Sequence, residues 1–290
     1  MRKVAILSTD DLEDFFVYDH LAYEPLAEMG WEAVEISWHA DGTNWDDYEV
    51  VIIRSTWDYQ NNADAFLARL QQIDSSTAKL ENSLALVQWN IRKDYLKSLE
   101  AKGVGIVPTI WCNTFDLAFM KGAFEQFNSR EIVVKPLVSA NADYTYRLSL
   151  ESVVEEQEGL TEVFSTRPFM IQPFLKSVIN EGEYSLFYFN GQYSHCIVKV
   201  PKQNDFRVQE EHGGQLRSVE ADEHILASAQ KVLAALPEMP LYARIDLVKY
   251  KDTYVTMEVE LIEPSLYFNM DVDSAQRFAD GFVDKYGRGN

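Results

Sequence analysis

The chain has 290 residues, 47% of them hydrophobic, enough for a sizeable core in one large domain or two to three small ones. A formal net charge of −20 makes nucleic acid a poor default partner, because binding there rests on clustered Lys and Arg neutralising phosphates. No apolar run approaches the roughly 20 residues of a membrane helix, "MRKVAILSTDD" lacks a signal-peptide cleavage pattern, and Cys112 and Cys196 have no CxxC spacing. The expectation is a cytoplasmic protein with no membrane partner, no disulfide framework and no cysteine zinc site.

"KVAILST" reads as a short buried strand and "YDHLAYEPLAEMG" as a helix ending at Gly30. Two further strands, "EAVEISW" and "YEVVIIRSTWDY", and a helical "ADAFLARLQQI" complete a βαβ rhythm, which predicts a parallel sheet with helices on its faces. No GxGxxG follows the first strand, so a dinucleotide fingerprint is absent. The pattern changes around "DSSTAKLENS", which places a boundary near residue 82.

Next come "NIRKDYLKSLEAKG", a helix closed by Gly103, a short "GIVPTIW" strand, a helix from about Phe115 to Phe127, and the strand "REIVVKPLV". The polar "SANADYTYR" reads as a loop, and a helix near "LESVVEEQEGL" leads to "RPFMIQPFL". From Gly182 the chain turns antiparallel: Asn190-Gly191 lies between alternating runs, a strong hairpin signal. A helix over "EHILASAQKVLAAL", a second hairpin from Tyr242 to Ile262 and a final helix, "SAQRFADGFVDKY", close the chain. The three units expected are residues 1–82, 83–168 and 169–290.

The second hairpin carries the first chemical signal. If Tyr250 pairs with Tyr254, Asp246 lies opposite Glu258 and Arg244 opposite Glu260, with all four on one face. Ile245, Leu247, Met257 and Val259 then take the other face. Three acids against one arginine repel one another and need more positive charge, which a divalent cation supplies. Oxygen-only ligands favour magnesium over zinc. Glu263 has the opposite parity and is the weaker choice of ligand. The alternative is a solvent-facing hairpin whose acids keep the edge soluble.

Lys135 in "IVVKPLV" and Lys199 in "HCIVKVP" are lysines inside apolar strands, and Lys93 and Arg207 add two cations. Each could sit on a solvated face. Together with the acids they suit a nucleoside triphosphate carrying magnesium. No Walker A loop is present, so a P-loop is excluded.

In that order, "NIRKDYL", "VVKP", "MIQPFL", "EGEYSLF", "SHCIVKVP", "DFRVQEEHGG", "YARIDLV" and "MEVELIEPSL" resemble the ATP-grasp carboxylate-amine ligases over nearly the whole chain. "RSTWDY", "DFRVQEEHGG" and "ELIEPSL" look like the branch related to O-ureido-D-serine cyclo-ligase, alongside glutathione synthetase-like ATP-binding proteins. The resemblance implies an ATP-grasp fold, α/β at the amino end and α+β after it, with two α+β subdomains sandwiching ATP. It implies that Lys93 and Lys135 reach the phosphates, that Gln172, Phe174 and Leu175 form the adenine hinge, and that Glu183, or Glu181, takes the ribose. Lys199 would lie near the triphosphate, and Asp246, Glu258 and Glu260 fall on the magnesium positions, for two ions that manganese could replace. The segment Ser139 to Arg147 departs from the glycine-rich loop common in the family. Its amides can cradle phosphate if Asn141 or Asp143 takes a left-handed conformation.

At the substrate end, "IIRSTWDYQNN" places Arg54, Ser55 and Asp58 beyond an apolar strand, and Thr9 and Asp10 end the first strand similarly. An arginine for a carboxylate and an aspartate for an ammonium suit an amino-acid-like substrate. Trp57 is either a packing residue or part of that pocket. His212 adjoins the Arg207 motif and joins the substrate set, whereas His195 reads as a structural histidine. The expected reaction is attack of a carboxylate on the γ-phosphate, capture of the acyl phosphate by an amine, and stabilisation of the oxyanion by Arg207. A nucleotide-binding protein without ligase activity, a small-molecule kinase and a metal-dependent hydrolase are the rival readings. The choice between monomer and homodimer stays open.

Overall fold

The computed structural model describes residues 1–13, 15–203 and 205–289. Strands β1 (Arg2–Ser8), β2 (Trp31–Ser37), β3 (Val50–Ser55) and β4 (Lys79–Glu81) form an all-parallel sheet in the order β2-β1-β3-β4. Every residue of β3 is buried, as in a strand covered on both faces. Helix α1 (Tyr23–Glu28) ends at Gly30, whose φ of +86° suits glycine. Helix α2 (Ala63–Asp74) begins where the Asn62 side chain accepts from the Ala65 amide, and it buries Phe66, Leu70 and Ile73 against the sheet.

A helix that was not expected, α3 (Leu84–Asn90), precedes the one expected over residues 90–103, which is the shorter α4 (Tyr95–Ala101). Lys93 lies in the break between them. A second, antiparallel sheet follows in the order β5-β8-β6-β7, from β5 (Ile110–Cys112), β6 (Glu131–Pro136), β7 (Tyr146–Ser149) and β8 (Phe169–Pro173). Helices α5 (Leu117–Phe127), α6 (Leu150–Glu155) and α7 (Gln157–Phe164) share one core with it. After α8 (Ser177–Asn180), a five-stranded antiparallel sheet runs in the order β11-β10-β9-β12-β13. Its strands are β9 (Glu183–Phe189), β10 (Gln192–Val200), β11 (Gln215–Val219), β12 (Tyr242–Tyr250) and β13 (Thr253–Glu260), with α9 (Glu223–Ala235) and α10 (Ser274–Tyr286). Asn190 and Gly191 both have positive φ, 46° and 78°, as a tight hairpin turn demands.

The first sheet ends at Glu81, but the expected break at 168/169 does not match the sheets. β8 hydrogen-bonds to β5 and β6, so the second sheet extends to Pro173. Residues 84–106 instead bridge the first and third sheets: Leu86, Tyr95, Leu96 and Leu99 share a core with Ile245, Leu247 and Val259, while Val87 and Ile91 join Val51 and Ile53 of the first sheet. Helix α10 returns to the first sheet, where Phe278 and Phe282 join Val4, Ile6 and Trp31. Hydrophobic contact groups these elements irrespective of chain order.

Candidate active site

One cleft runs between β6 and β8 of the second sheet and the β10, β12 and β13 strands of the third. Its acidic wall comes from the β12–β13 hairpin, whose register departs from expectation at the turn. Tyr250 pairs with Thr253, one residue short of Tyr254, and pairing stays shifted as far as Leu247 with Thr256. Met257 is then left over as a bulge, after which Asp246 faces Glu258 and Arg244 faces Glu260. The bulge also sends Met257 into the cleft, whereas Leu247, Ile245 and Val259 stay in the core.

Each of these acids has a cation. Arg244 donates to both oxygens of Asp246, at 3.0 Å through Nη2, and to Glu260. The Lys93 ammonium bonds Glu258 and the Ser139 carbonyl, the latter at 3.1 Å. Lys199, only 2% exposed, lies 2.6 Å from Glu183 and 3.5 Å from Asp246. Lys135 has no ion pair among the described residues, and its Nζ lies 3.3 Å from the Met257 sulfur. Burial pushes its pKa down, against the pull of Glu258. Burial opposes ionisation of Asp246, but Arg244 and Lys199 win and hold it at about 2. Burial raises Glu260 to about 7 despite Arg244.

Glu263 is the residue the sequence reading underrated. β13 ends at Glu260, so strand parity no longer governs the chain beyond it, and Glu263 lines the cleft. Burial and the nearby Glu260 raise its pKa to about 8. For a carboxylate whose folded pKa exceeds the unfolded one, the stability it contributes is full below the unfolded value and lost as pH rises through the folded value. For Glu260 and Glu263 that window runs from about pH 4.5 to about pH 8. The thermal midpoint of the nucleotide-free protein should therefore fall between about pH 5.5 and about pH 8.5, and fall less in Glu263→Gln. Thermal melts of both proteins across that range check this.

Gln172, Pro173 and Phe174 reach the cleft, with Val133, Val178, Val208 and Met257 as an apolar lining. The Gln172 amide donates to Thr109 at 3.0 Å, and the Arg147 guanidinium stacks 3.8 Å from the Phe174 ring centre. Leu175 packs beside Val178 and Val208, outside the lining. Of the two ribose candidates, Glu183 lines the cleft; Glu181 does not, and pairs on the surface with Lys249 at 3.0 Å. Arg207 lines the cleft, its guanidinium held by Asp205 at 2.9 Å.

Loop 139–147 supplies the left-handed backbone without glycine. Asn141, Ala142 and Tyr144 have φ of 51°, 60° and 51°, whereas Asp143 is not left-handed. The loop is tied down by Gln60, which donates to Asp143 at 3.3 Å, and by His212, 3.3 Å from the Asn141 carbonyl. His212 thus holds the loop from outside the cleft lining.

The remaining substrate candidates lie elsewhere. Arg54 is 2% exposed and donates to Asp19 at 2.9 Å and to the Pro264 carbonyl at 2.7 Å. Asp58 accepts from Trp38 at 2.7 Å and pairs with His39 at 2.6 Å, and Thr9 is buried just after β1, outside the cleft lining. Ser55 is buried in β3, and Asp10 is exposed away from the cleft. Of the segment 56–62 that follows β3, Trp57 and Tyr59 reach the cleft. His195 is buried and stacked on Phe187 at 4.2 Å, with burial lowering its pKa to about 4.

Comparison with known proteins supplies the family. Residues 117–267, just over half of the chain, match the family described as Prokaryotic glutathione synthetase, ATP-grasp domain. Residues 4–82 match D-cycloserine synthetase DcsG, N-terminal domain. Over 282 residues the chain is 28% identical to the Cycloserine biosynthesis protein DcsG of Streptomyces lavendulae, covering 90% of this chain and 91% of that one. The crystal structure of D-cycloserine synthetase DcsG superposes with a TM-score of 0.85 at 26% identity, over 98% of this chain and 99% of that one. The fold is shared more widely: D-alanine--D-alanine ligase from Bacillus anthracis gives 0.68 at 14% identity, over 98% of this chain and 97% of that one. With a basic and acidic cleft between two antiparallel sheets, and with both halves of the sequence matched, the chain belongs to the ATP-grasp family of ADP-forming carboxylate-amine ligases.

Proposed function

We propose that the protein activates the carboxylate of a small amino-acid-like substrate with ATP and closes it onto an amine of the same molecule. The observation that carries this reading is the convergence of Lys93, Lys135, Lys199 and Arg207 with Asp246, Glu258 and Glu260 on one cleft. Intramolecular closure is favoured by the similarity along almost the full chain to D-cycloserine synthetase, named for a cyclic product.

A substrate carboxylate oxygen attacks the γ-phosphorus, the bond to the β-phosphate oxygen breaks, and ADP leaves. The amine nitrogen then attacks the acyl carbon, inorganic phosphate departs, and the amine proton is lost to solvent. Lys93 and Lys135 would hold the phosphates and Arg207 the charge that grows on the acyl oxygen, so that the protein contributes position and fixed charge. The apolar lining beside Gln172, Pro173 and Phe174 would take the adenine, and Glu183 the ribose. A cytoplasmic location suits an enzyme that consumes ATP.

The donor set suits magnesium. Asp246, Glu258 and Glu260 offer only oxygens, and no three His, Cys, Asp or Glu side chains among the described residues form a ready-made metal cage. Magnesium is commonly held by one or two carboxylates with substrate phosphates completing the shell. Bound there with ATP, the ion would neutralise phosphate charge, and its affinity would depend on the nucleotide. One or two ions, or manganese in their place, satisfy the same oxygens.

Titration calorimetry with a non-hydrolysable ATP analogue tests the site. Binding should require magnesium and weaken by roughly 10- to 100-fold in both Glu258→Gln and Lys135→Ala, as loss of a charge-assisted contact implies. Equal affinity with and without magnesium would overturn the metal assignment. Substrate-dependent release of ADP together with inorganic phosphate marks a ligase, and ADP without phosphate a kinase.

A further inference from the structure

Five consecutive carbonyls after β13 are each taken by a side chain from another part of the fold. The Ile262 carbonyl accepts from Tyr242 Oη at 2.8 Å, Glu263 from Trp57 Nε1 at 2.8 Å and Pro264 from Arg54 Nη2 at 2.7 Å. Ser265 accepts from Arg244 Nη1 at 3.4 Å and Leu266 from His195 Nε2 at 3.2 Å. The donors come from the third sheet and from the end of β3 with the turn after it. A segment held at every carbonyl has one conformation, and that conformation turns the Glu263 side chain into the cleft.

The surroundings of that carboxylate are unlike those of the other buried cleft acids. Asp246, Glu258, Glu260 and Glu183 each pair with an arginine or lysine, whereas Glu263 takes part in no ion pair among the described residues. Trp57, whose indole donates to the Glu263 carbonyl, and Tyr59 line the same cleft as that carboxylate. A fixed carboxylate next to other carboxylates calls for a cation. Asp246, Glu258 and Glu260 already provide for the metal, while a carboxylate that shares its part of the cleft with aromatic rings matches an organic ammonium. Arg54 and Asp58, the amino-acid clamp read from the sequence, are both occupied within the protein.

We propose that Glu263 receives the ammonium group of the substrate, with Trp57 and Tyr59 as the walls of that subsite, and so makes the enzyme selective for amine-bearing acids. This rests on the ligase reading above and names its substrate-recognition residue.

The test uses the full chain with magnesium and ADP, and two probes: D-cycloserine and isoxazolidin-3-one, the same ring without its amino group. Calorimetry of the wild-type protein should show D-cycloserine binding about 100-fold tighter, as for a desolvated charge pair. Glu263→Gln should bring the two within about 3-fold of each other, and Glu263→Asp should keep most of the preference. Unchanged ADP affinity in each variant shows that the fold is intact. A Glu263→Gln protein that keeps the full preference overturns the assignment of Glu263 and leaves the ligase reading standing. Wild-type protein that binds ADP but neither ring overturns the cyclic-product reading, and this proposal with it.

Discussion

Lys199→Met is expected to lower stability by about 3–5 kcal/mol, the usual cost of stripping one partner from a buried ion pair. Lys199 sits in the middle strand region of the third sheet, 2% exposed, with Glu183 at 2.6 Å and Asp246 at 3.5 Å. Methionine fills much of the same space, so the loss is electrostatic and not a cavity. Asp246 keeps Arg244, but Glu183 has no second ion pair among the described residues and is left as an uncompensated buried charge. Its pKa is already raised by burial against the pull of Lys199, and removing the lysine sends it further up. The double variant Lys199→Met with Glu183→Gln removes both charges and should recover most of the loss, because replacing a whole buried pair is often nearly neutral. Urea unfolding of the wild type, both single variants and the double variant measures the coupling directly. A single Lys199→Met variant with an unshifted midpoint would show that the pair is not buried in solution.

The same triad shows how far sequence alone could reach. Lysines among β-branched residues and acids in a β-rich hairpin were readable because both break the alternation expected of a plain strand. The pairing of Asp246 with Glu258 was also readable, although its premise was not: the turn is one residue tighter than expected and Met257 bulges to compensate. A bulge leaves no mark in composition or periodicity, so the destination of Met257 could not be read. Glu263 escaped for a related reason, because parity applies only while the strand lasts and β13 stops three residues earlier.

Arg54 and Asp58 illustrate the opposite error. Their position beyond a parallel strand is where open α/β sheets bind ligands, and their charges suit an amino acid. What decides their role is a partner distant in sequence: Asp19 and Pro264 for one, Trp38 and His39 for the other. Short strands were lost too. β4 has three residues, and β11 is an edge strand whose mostly polar pattern resembles a loop. The middle boundary failed because the second sheet closes with β8, from the far side of α6 and α7.

Arg207→Ala is expected to lower turnover by about 100- to 1,000-fold while leaving ATP bound, the effect of deleting one preorganised donor to a developing oxyanion. Arg207 follows β10 on an irregular segment, and four contacts to Asp205 shape it: the amides of Phe206 and Arg207 and both the Nε and Nη2 groups of the guanidinium. Asp205 is held well below the usual carboxylate range by that guanidinium. The guanidinium therefore lines the cleft in a position fixed by Asp205. Charge fixed before the reaction costs no reorganisation when the acyl oxygen becomes anionic, which is why its loss should appear in kcat. Uniform binding of ATP does not need it, because the phosphates would be met by Lys93 and Lys135. ADP release at saturating ATP and substrate, beside calorimetry with the non-hydrolysable analogue, separates the two quantities. A rate loss with analogue affinity changed by less than about 3-fold places Arg207 on the transition state; an equal loss in both would make it a nucleotide ligand, and normal turnover would remove it from the reaction.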